Sequence, residues 1–328
     1  MQRVILLSIL IFSITCSKQE QESIQTEPME EPSIESRAQE LAQKLIITDG
    51  HIDLPYRLHD LMEDVSKQTD HGEFDFVRAR DGGLDAPFMS IYVPSSYQEN
   101  GGAKEFAEQM IALVTQITRE HPDKFAIATN PDEVEQLFEK KIIAFPMGME
   151  NGAPLEDDLD NVQYFHQKGI RYITLTHAKD NLICDSSYDT TRTWNGLSDY
   201  GKAVVKEMNR VGVMIDVSHV SDQAFYQVLE ITEAPVIASH SSCRYFTPGW
   251  ERNMSDDMIK TLAEKEGVIQ INFGSNFLSR DSRASRDKVN HYLDQWAQTQ
   301  DSLDERQVRD FRAEYFRENY SYSGVSDV

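Results

Sequence analysis

His51 and Asp53 sit two apart at the end of an apolar run, and in an extended strand that spacing points both side chains to one face, where both can bind a single cation. Glu150 closes a second run, after Pro146-Met147-Gly148-Met149. A carboxylate there has two oxygens and can bridge two cations, whereas a neutral imidazole nitrogen serves only one. Two later segments look alike: Ile215-Asp216-Val217-Ser218-His219 and Val236-Ile237-Ala238-Ser239-His240 each end in Ser-His after a β-rich run. Each imidazole would offer one nitrogen to a second cation while a neighbour holds the other. His177 closes Tyr172-Ile173-Thr174-Leu175-Thr176 and is placed to donate to an oxyanion formed when a carbonyl is attacked. Any one of these histidines alone would be read as structural; the set at matching strand ends points to a binuclear metal site.

The elements that must position these residues alternate. From about residue 41, short β-rich runs exchange with longer amphipathic stretches, the pattern of repeated βα units around a parallel sheet. Strands are expected at 46–52, 87–93, 142–149, 170–176, 213–218, 235–239 and 268–273, and helices at 103–120, 132–140, 198–210, 221–231 and 255–266. Ser221 and Ser255 are good caps for the last two. The candidate ligands fall at the C-terminal ends of the strands, where α/β barrels carry their active sites. The expected fold is therefore a (β/α)₈ TIM-like barrel of the metal-dependent hydrolase type. It is expected to be incomplete in this sequence, because seven strands are recognisable and the charged, helix-patterned stretch 287–316 follows the last. An open doubly wound sheet is the other architecture, but the Gly-rich phosphate turn expected after its first strand is missing.

Composition narrows the function classes. In 328 residues, 32 Lys and Arg stand against 55 Asp and Glu, a net charge of −23 that argues against nucleic acid or an anionic membrane surface as partner. Residues 1–15 read as an export signal: Arg3 precedes an apolar run from Val4 to Ile14 too short to span a bilayer as a mature helix. Cys16, directly after Ser13-Ile14-Thr15, resembles the acylated cysteine of a bacterial lipobox, with Ser13 where an aliphatic residue is usual. Residues 16–40, rich in Glu, Gln and Ser, then read as an acidic flexible tether, and 41–328 as the barrel. The expected location is periplasmic or anchored to the outer membrane of a bacterium. Cys184 and Cys243 remain, free to pair or to stay reduced.

Taken together these segments resemble the membrane (renal) dipeptidase family, zinc peptidases with a (β/α)₈ fold that cleave dipeptides. Asp49-Gly50-His51-Ile52-Asp53 is similar to the family's first metal motif and Met149-Glu150-Asn151-Gly152 to the segment of its bridging glutamate. Tyr172 to His177 is similar to its histidine strand, Asp216-Val217-Ser218-His219 and Ala238-Ser239-His240-Ser241 to its later histidine motifs, and Glu251-Arg252-Asn253 to the segment of its substrate-binding arginine. The resemblance implies two Zn²⁺ per chain, one held by His51, Asp53 and Glu150 and the other by Glu150, His219 and His240. A bridging hydroxide attacks the peptide carbonyl, with Glu150 and His177 as catalytic groups. His177 and Arg252 would bind substrate, Arg252 through the free C-terminal carboxylate that its planar fork can meet with two bonds. Homodimerisation is a family expectation.

One departure stands out. The family carries an aspartate at its eighth strand, in a Gly-Ser-Asp-Phe type motif that handles the proton passing to the leaving amine. Here Gly274-Ser275-Asn276-Phe277 follows the seventh strand and has Asn276, which cannot act as a base, as a truncated or incomplete sequence would show. Two alternatives follow: a surface lipoprotein that binds peptides with an inactive dipeptidase fold, and another binuclear metal amidohydrolase.

Overall fold

The computed structural model describes residues 33–300, 304–324 and 326, so the export signal, Cys16 and most of the tether lie outside the described residues. Nine strands are present among them: β1 Ile47–Ile52, β2 Leu84–Tyr92, β3 Phe125–Ile127, β4 Ile143–Phe145, β5 Met147–Glu150, β6 Ile170–Thr174, β7 Met214–Asp216, β8 Ile237–Ser241 and β9 Val268–Ile271. Seven form one sheet in the order β1-β2-β5-β6-β7-β8-β9, with every pairing parallel. Strands β2, β5 and β6 are buried along nearly their whole length, as expected when helices cover a parallel sheet on one side and packed side chains fill the other.

The sheet curls into a nearly closed barrel of seven strands, which excludes the open doubly wound alternative. Gly50 of β1 shows how tightly it curls: a Cβ built there would sit 2.3 Å from the carbonyl oxygen of Ser239 on β8 and 2.8 Å from the Gln270 side chain on β9. Only a residue without a side chain lets the first strand approach the far side of the sheet so closely.

The run at 142–149, expected as one strand, is two. Pro146 has no N–H to give to a ladder, so the chain breaks there: β4 pairs with β3 in a separate two-stranded sheet, and β5 enters the barrel beside β2. The Pro146 carbonyl still accepts from the Met89 N–H at 2.8 Å.

The outer helices follow the expected pattern. Ala103–Glu120 buries Phe106, Met110, Val114 and Ile117 on one face, and Ser198, Ser221 and Ser255 each cap a helix by accepting a backbone N–H three residues on. A helix at Ile34–Lys44, with no buried residue, begins inside the stretch expected as tether. Two helices, Arg280–Ala297 and Glu305–Asn319, occupy the charged region after β9. No helix among the described residues is long and apolar enough to cross a membrane.

Candidate active site

Strand register brings the site together. Glu150, the last residue of β5, is level with Tyr92 of β2 and Thr174 of β6, and Thr174 is level with Asp216 of β7. The residues leaving these ends therefore open on one face of the barrel. His51 lies near the end of β1, Asp53 stands at the start of helix Leu54–Asp60, His177 and His219 sit three residues beyond β6 and β7, and His240 is in β8.

All four histidines turn their Nε2 atoms toward Glu150. From its Oε1 the distances are 2.9 Å to His219, 3.2 Å to His240 and 3.8 Å to His177; His51 lies 3.4 Å from Oε2. The Nε2 atoms of His219 and His240 are 2.8 Å apart, and Asp53 Oδ1 is 3.3 Å from His51 Nε2. Two sets of three side chains are close enough to share a cation: His51, Glu150 and His240, and Glu150, His177 and His219. The expected residues thus converge: Glu150, His219 and His240, one of the expected sets, also lie within 3.2 Å of one another. His177 stands with the ligand-type donors, while Asp53, its side chain 62% exposed, approaches only through His51.

Charge is uneven across the cluster. Burial works to lower His51 and to raise Glu150, but each stabilises the other's charge, and His51 ends well above the usual imidazole range while Glu150 is held well below the usual carboxylate range. Burial lowers the other three: His177 and His219 fall below the usual value, and His240 falls to about 4, with the His51 charge adding to the effect. Three neutral imidazoles and one ionised carboxylate, buried and converging, form a donor set with the chemistry of a divalent-cation site. A cation taking His51 as ligand must displace the proton that Glu150 favours there.

A second layer orients the donors. Tyr172 donates to the Gly50 carbonyl at 3.0 Å and sits 3.0 Å from His51 Nδ1, leaving Nε2 to face the cluster. Ser239 Oγ is 2.7 Å from His240 Nδ1. Asp216, fully buried, accepts from Thr174 Oγ1, Ser239 Oγ and the N–H groups of Ser218 and Ser239, tying β6, β7 and β8 together directly beneath the histidines. The Nδ1 atoms of His177 and His219 are buried without a partner among the described residues. His219 itself adopts a left-handed backbone, φ +70°, and its carbonyl accepts from Ser187 at 2.7 Å.

Tyr172, Asp216 and Ser239 were not singled out from the sequence. The available signal was a polar residue inside an otherwise apolar strand run, which marks a buried hydrogen-bond centre but not its role.

Arg252 follows β8, is 2% exposed, and is fixed by bonds from its guanidinium to Ser241 Oγ (2.8 Å) and the His240 carbonyl (2.7 Å). Its Nε–H is a buried donor without a partner. Arg252 lines the same cavity, about 1170 Å³, as His51, Asp53, Glu150, His177, His219 and His240. Asn276 is buried within the short helix Ser275–Leu278. Cys184 and Cys243 are both free.

Among proteins of known sequence, the chain is 31% identical over 71% of its length to an uncharacterized dipeptidase of Schizosaccharomyces pombe, and 36% identical over 62% to the dipeptidase tcpJ of Claviceps purpurea. It spans 60% and 49% of the lengths of these two relatives. Among solved structures, the probable dipeptidase PvdM of Pseudomonas aeruginosa matches with a TM-score of 0.71 and 24% identity, over 89% of this chain and 80% of that one. A metallo peptidase of Rhodobacter sphaeroides, bound to a phosphinate mimic of the dipeptide L-Ala-D-Ala, matches with a TM-score of 0.67 and 24% identity, over 76% of this chain and 82% of that one. These two likenesses establish the fold. The profile of the membrane dipeptidase family, peptidase family M19, matches residues 35–298, and the chain belongs to that family.

Proposed function

We propose that the chain hydrolyses dipeptides at a site of two zinc ions. The observation that carries this reading is the convergence of four imidazole Nε2 atoms on the two oxygens of Glu150, at 2.9 to 3.8 Å, in a cavity that also holds Arg252. His51, Asp53 and Glu150 would hold one ion; Glu150, His219 and His240 would hold the other. Such a pair would supply a hydroxide nucleophile near neutral pH and would polarise the scissile carbonyl.

The chain's own residues do the rest. Glu150 offers its negative charge to the histidines that would hold the ions, and burial keeps that charge from being shared with water. His177 faces Glu150 from across the cluster, placed to donate from Nε2 to the oxygen of an attacked carbonyl. Arg252 presents its unpartnered Nε–H and its charge to the C-terminal carboxylate of the substrate, which limits productive substrates to two residues. The dipeptide mimic bound by the Rhodobacter relative supports this substrate class. We also propose that the chain is exported and held to a membrane through Cys16, and that it forms a homodimer, on the sequence expectations above.

The test is metal content and hydrolysis of Ala-Ala by purified residues 17–328, with and without added zinc. About two zincs per chain and zinc-dependent cleavage are expected. Bound zinc without cleavage would point instead to a peptide-binding protein, and no bound zinc would remove the ligand assignment.

A further inference from the structure

Three arginines line the cavity. Arg57 is occupied by Glu63 (2.6 Å) and the His71 carbonyl (2.7 Å), and Arg252 by Ser241 and the His240 carbonyl. Arg286, half-buried on helix Arg280–Ala297, makes no side-chain hydrogen bond or ion pair among the described residues. In a chain with 55 acidic side chains, an arginine left unpaired in a cavity wall forgoes an abundant partner. The acidic residues of the cavity, Asp49, Asp53 and Glu150, are engaged with His51 and the other histidines.

The helix that carries Arg286 is placed by a chain of contacts. Phe277 lies 5.2 Å from the Arg252 guanidinium and 4.9 Å from the Trp250 ring, and Arg283 stands 3.9 Å over Trp250. Arg286 follows Arg283 by three residues, on the same helix face. It therefore belongs to the Arg252 side of the cavity, where the C-terminal residue of a dipeptide would lie. The cavity, about 1170 Å³, exceeds the roughly 300–1,000 Å³ typical of sites for much larger ligands, so a side chain on that residue has room to extend.

We infer that Arg286 binds a carboxylate on the side chain of the substrate's C-terminal residue, so that the chain favours dipeptides ending in Asp or Glu. This rests on the dipeptide reading above. The carboxylate would meet a guanidinium that has no competing partner, and the fork geometry suits two parallel bonds.

The experiment compares Ala-Glu with Ala-Gln in the full chain, in wild type and in Arg286→Gln and Arg286→Glu, with Tm measured beside activity to exclude misfolding. Wild type should show a higher kcat/KM for Ala-Glu. Arg286→Gln should lower the ratio of the two values about tenfold, the low end for a charge-assisted bond on a half-exposed group, and Arg286→Glu should invert it. An unchanged ratio in both variants overturns the inference while leaving hydrolysis standing. Calorimetric binding of the same two peptides to chelator-treated chain separates the two readings. Tighter Ala-Glu binding lost in Arg286→Gln, in a chain that cleaves neither peptide once zinc is restored, would uphold Arg286 and refute hydrolysis; equal binding of both peptides there would overturn Arg286 as well.

Discussion

Replacing Gly148 by Ala should damage both the stability of the barrel and its grip on metal. A Cβ at Gly148 would fall 1.9 Å from Cζ of Tyr172 and 2.2 to 2.3 Å from its two Cε atoms. The ring has nowhere to go: Tyr172 is fully buried, Phe88 packs 5.3 Å from it, and its hydroxyl is held between His51 Nδ1 and the Gly50 carbonyl. Overpacking of this kind costs about 1–3 kcal/mol, and losing the hydroxyl's bonds adds about 1 kcal/mol, for a total of roughly 2–4 kcal/mol. At about 2 °C per kcal/mol, Tm should fall by roughly 4–8 °C. His51 would lose the partner that aims its Nε2, so on the proposed two-zinc reading zinc affinity should weaken about 10–100-fold. Thermal unfolding of the metal-free chain and a chelator competition measure the two effects separately. Repeating the substitution in a Tyr172→Leu background removes the clashing ring, and there its stability cost should shrink below about 1 kcal/mol. An equal cost in both backgrounds, or none in either, would refute the steric account.

Other perturbations address the neighbouring shells. Glu150→Gln takes the charge from the carboxylate shared by four histidines; if the proposed function holds, zinc measured by elemental analysis should fall below one ion per chain, with dipeptide turnover at least about 100-fold down. Asp216→Ala leaves the N–H groups of Ser218 and Ser239 and the hydroxyls of Thr174 and Ser239 without their acceptor; denaturant unfolding should show a loss of about 3–5 kcal/mol. Asp75 gives a pH test. Burial would raise its carboxyl, but the Arg78 N–H and guanidinium and the Thr69 N–H outweigh it and hold the group below its ordinary value. A carboxylate lowered on folding contributes stability above its unfolded pKa of about 3.9 and loses it as pH falls through the folded value. Asp75→Asn should therefore be less stable than wild type at pH 6, with a gap that narrows below about pH 4 when Tm is followed against pH.

Much of this architecture could be read from the chain. The histidines and Glu150 were legible because they close apolar runs, and helix 103–120 because its apolar residues repeat at helical spacing and no Gly or Pro interrupts them. The split at Pro146 was not, because Ile142 to Met149 is apolar throughout and periodicity alone cannot say which half pairs with which neighbour. Helices Leu54–Asp60 and Phe76–Gly82 are only seven residues each, too short to establish a period. The grouping of His177 with His219 depends on loops after β6 and β7, whose paths are set by contacts such as Ser187 to His219 that no local pattern announces. Arg286 reads in sequence as one more charge on a solvated helix; only the placement of that helix beside Trp250 and Phe277 brings it to the cavity.

The left-handed backbone of His219 sets two kinds of laboratory selection against each other. A side chain in that conformation costs about 1–2 kcal/mol that glycine would not pay, and the Ser187 N–H bonds to a carbonyl that any residue supplies. A library sorted on heat resistance in chelator would thus tend to enrich His219→Gly, while the same library sorted on metal retention would discard it. The position at which the two sorts disagree most sharply is then itself a marker of function, found without any substrate.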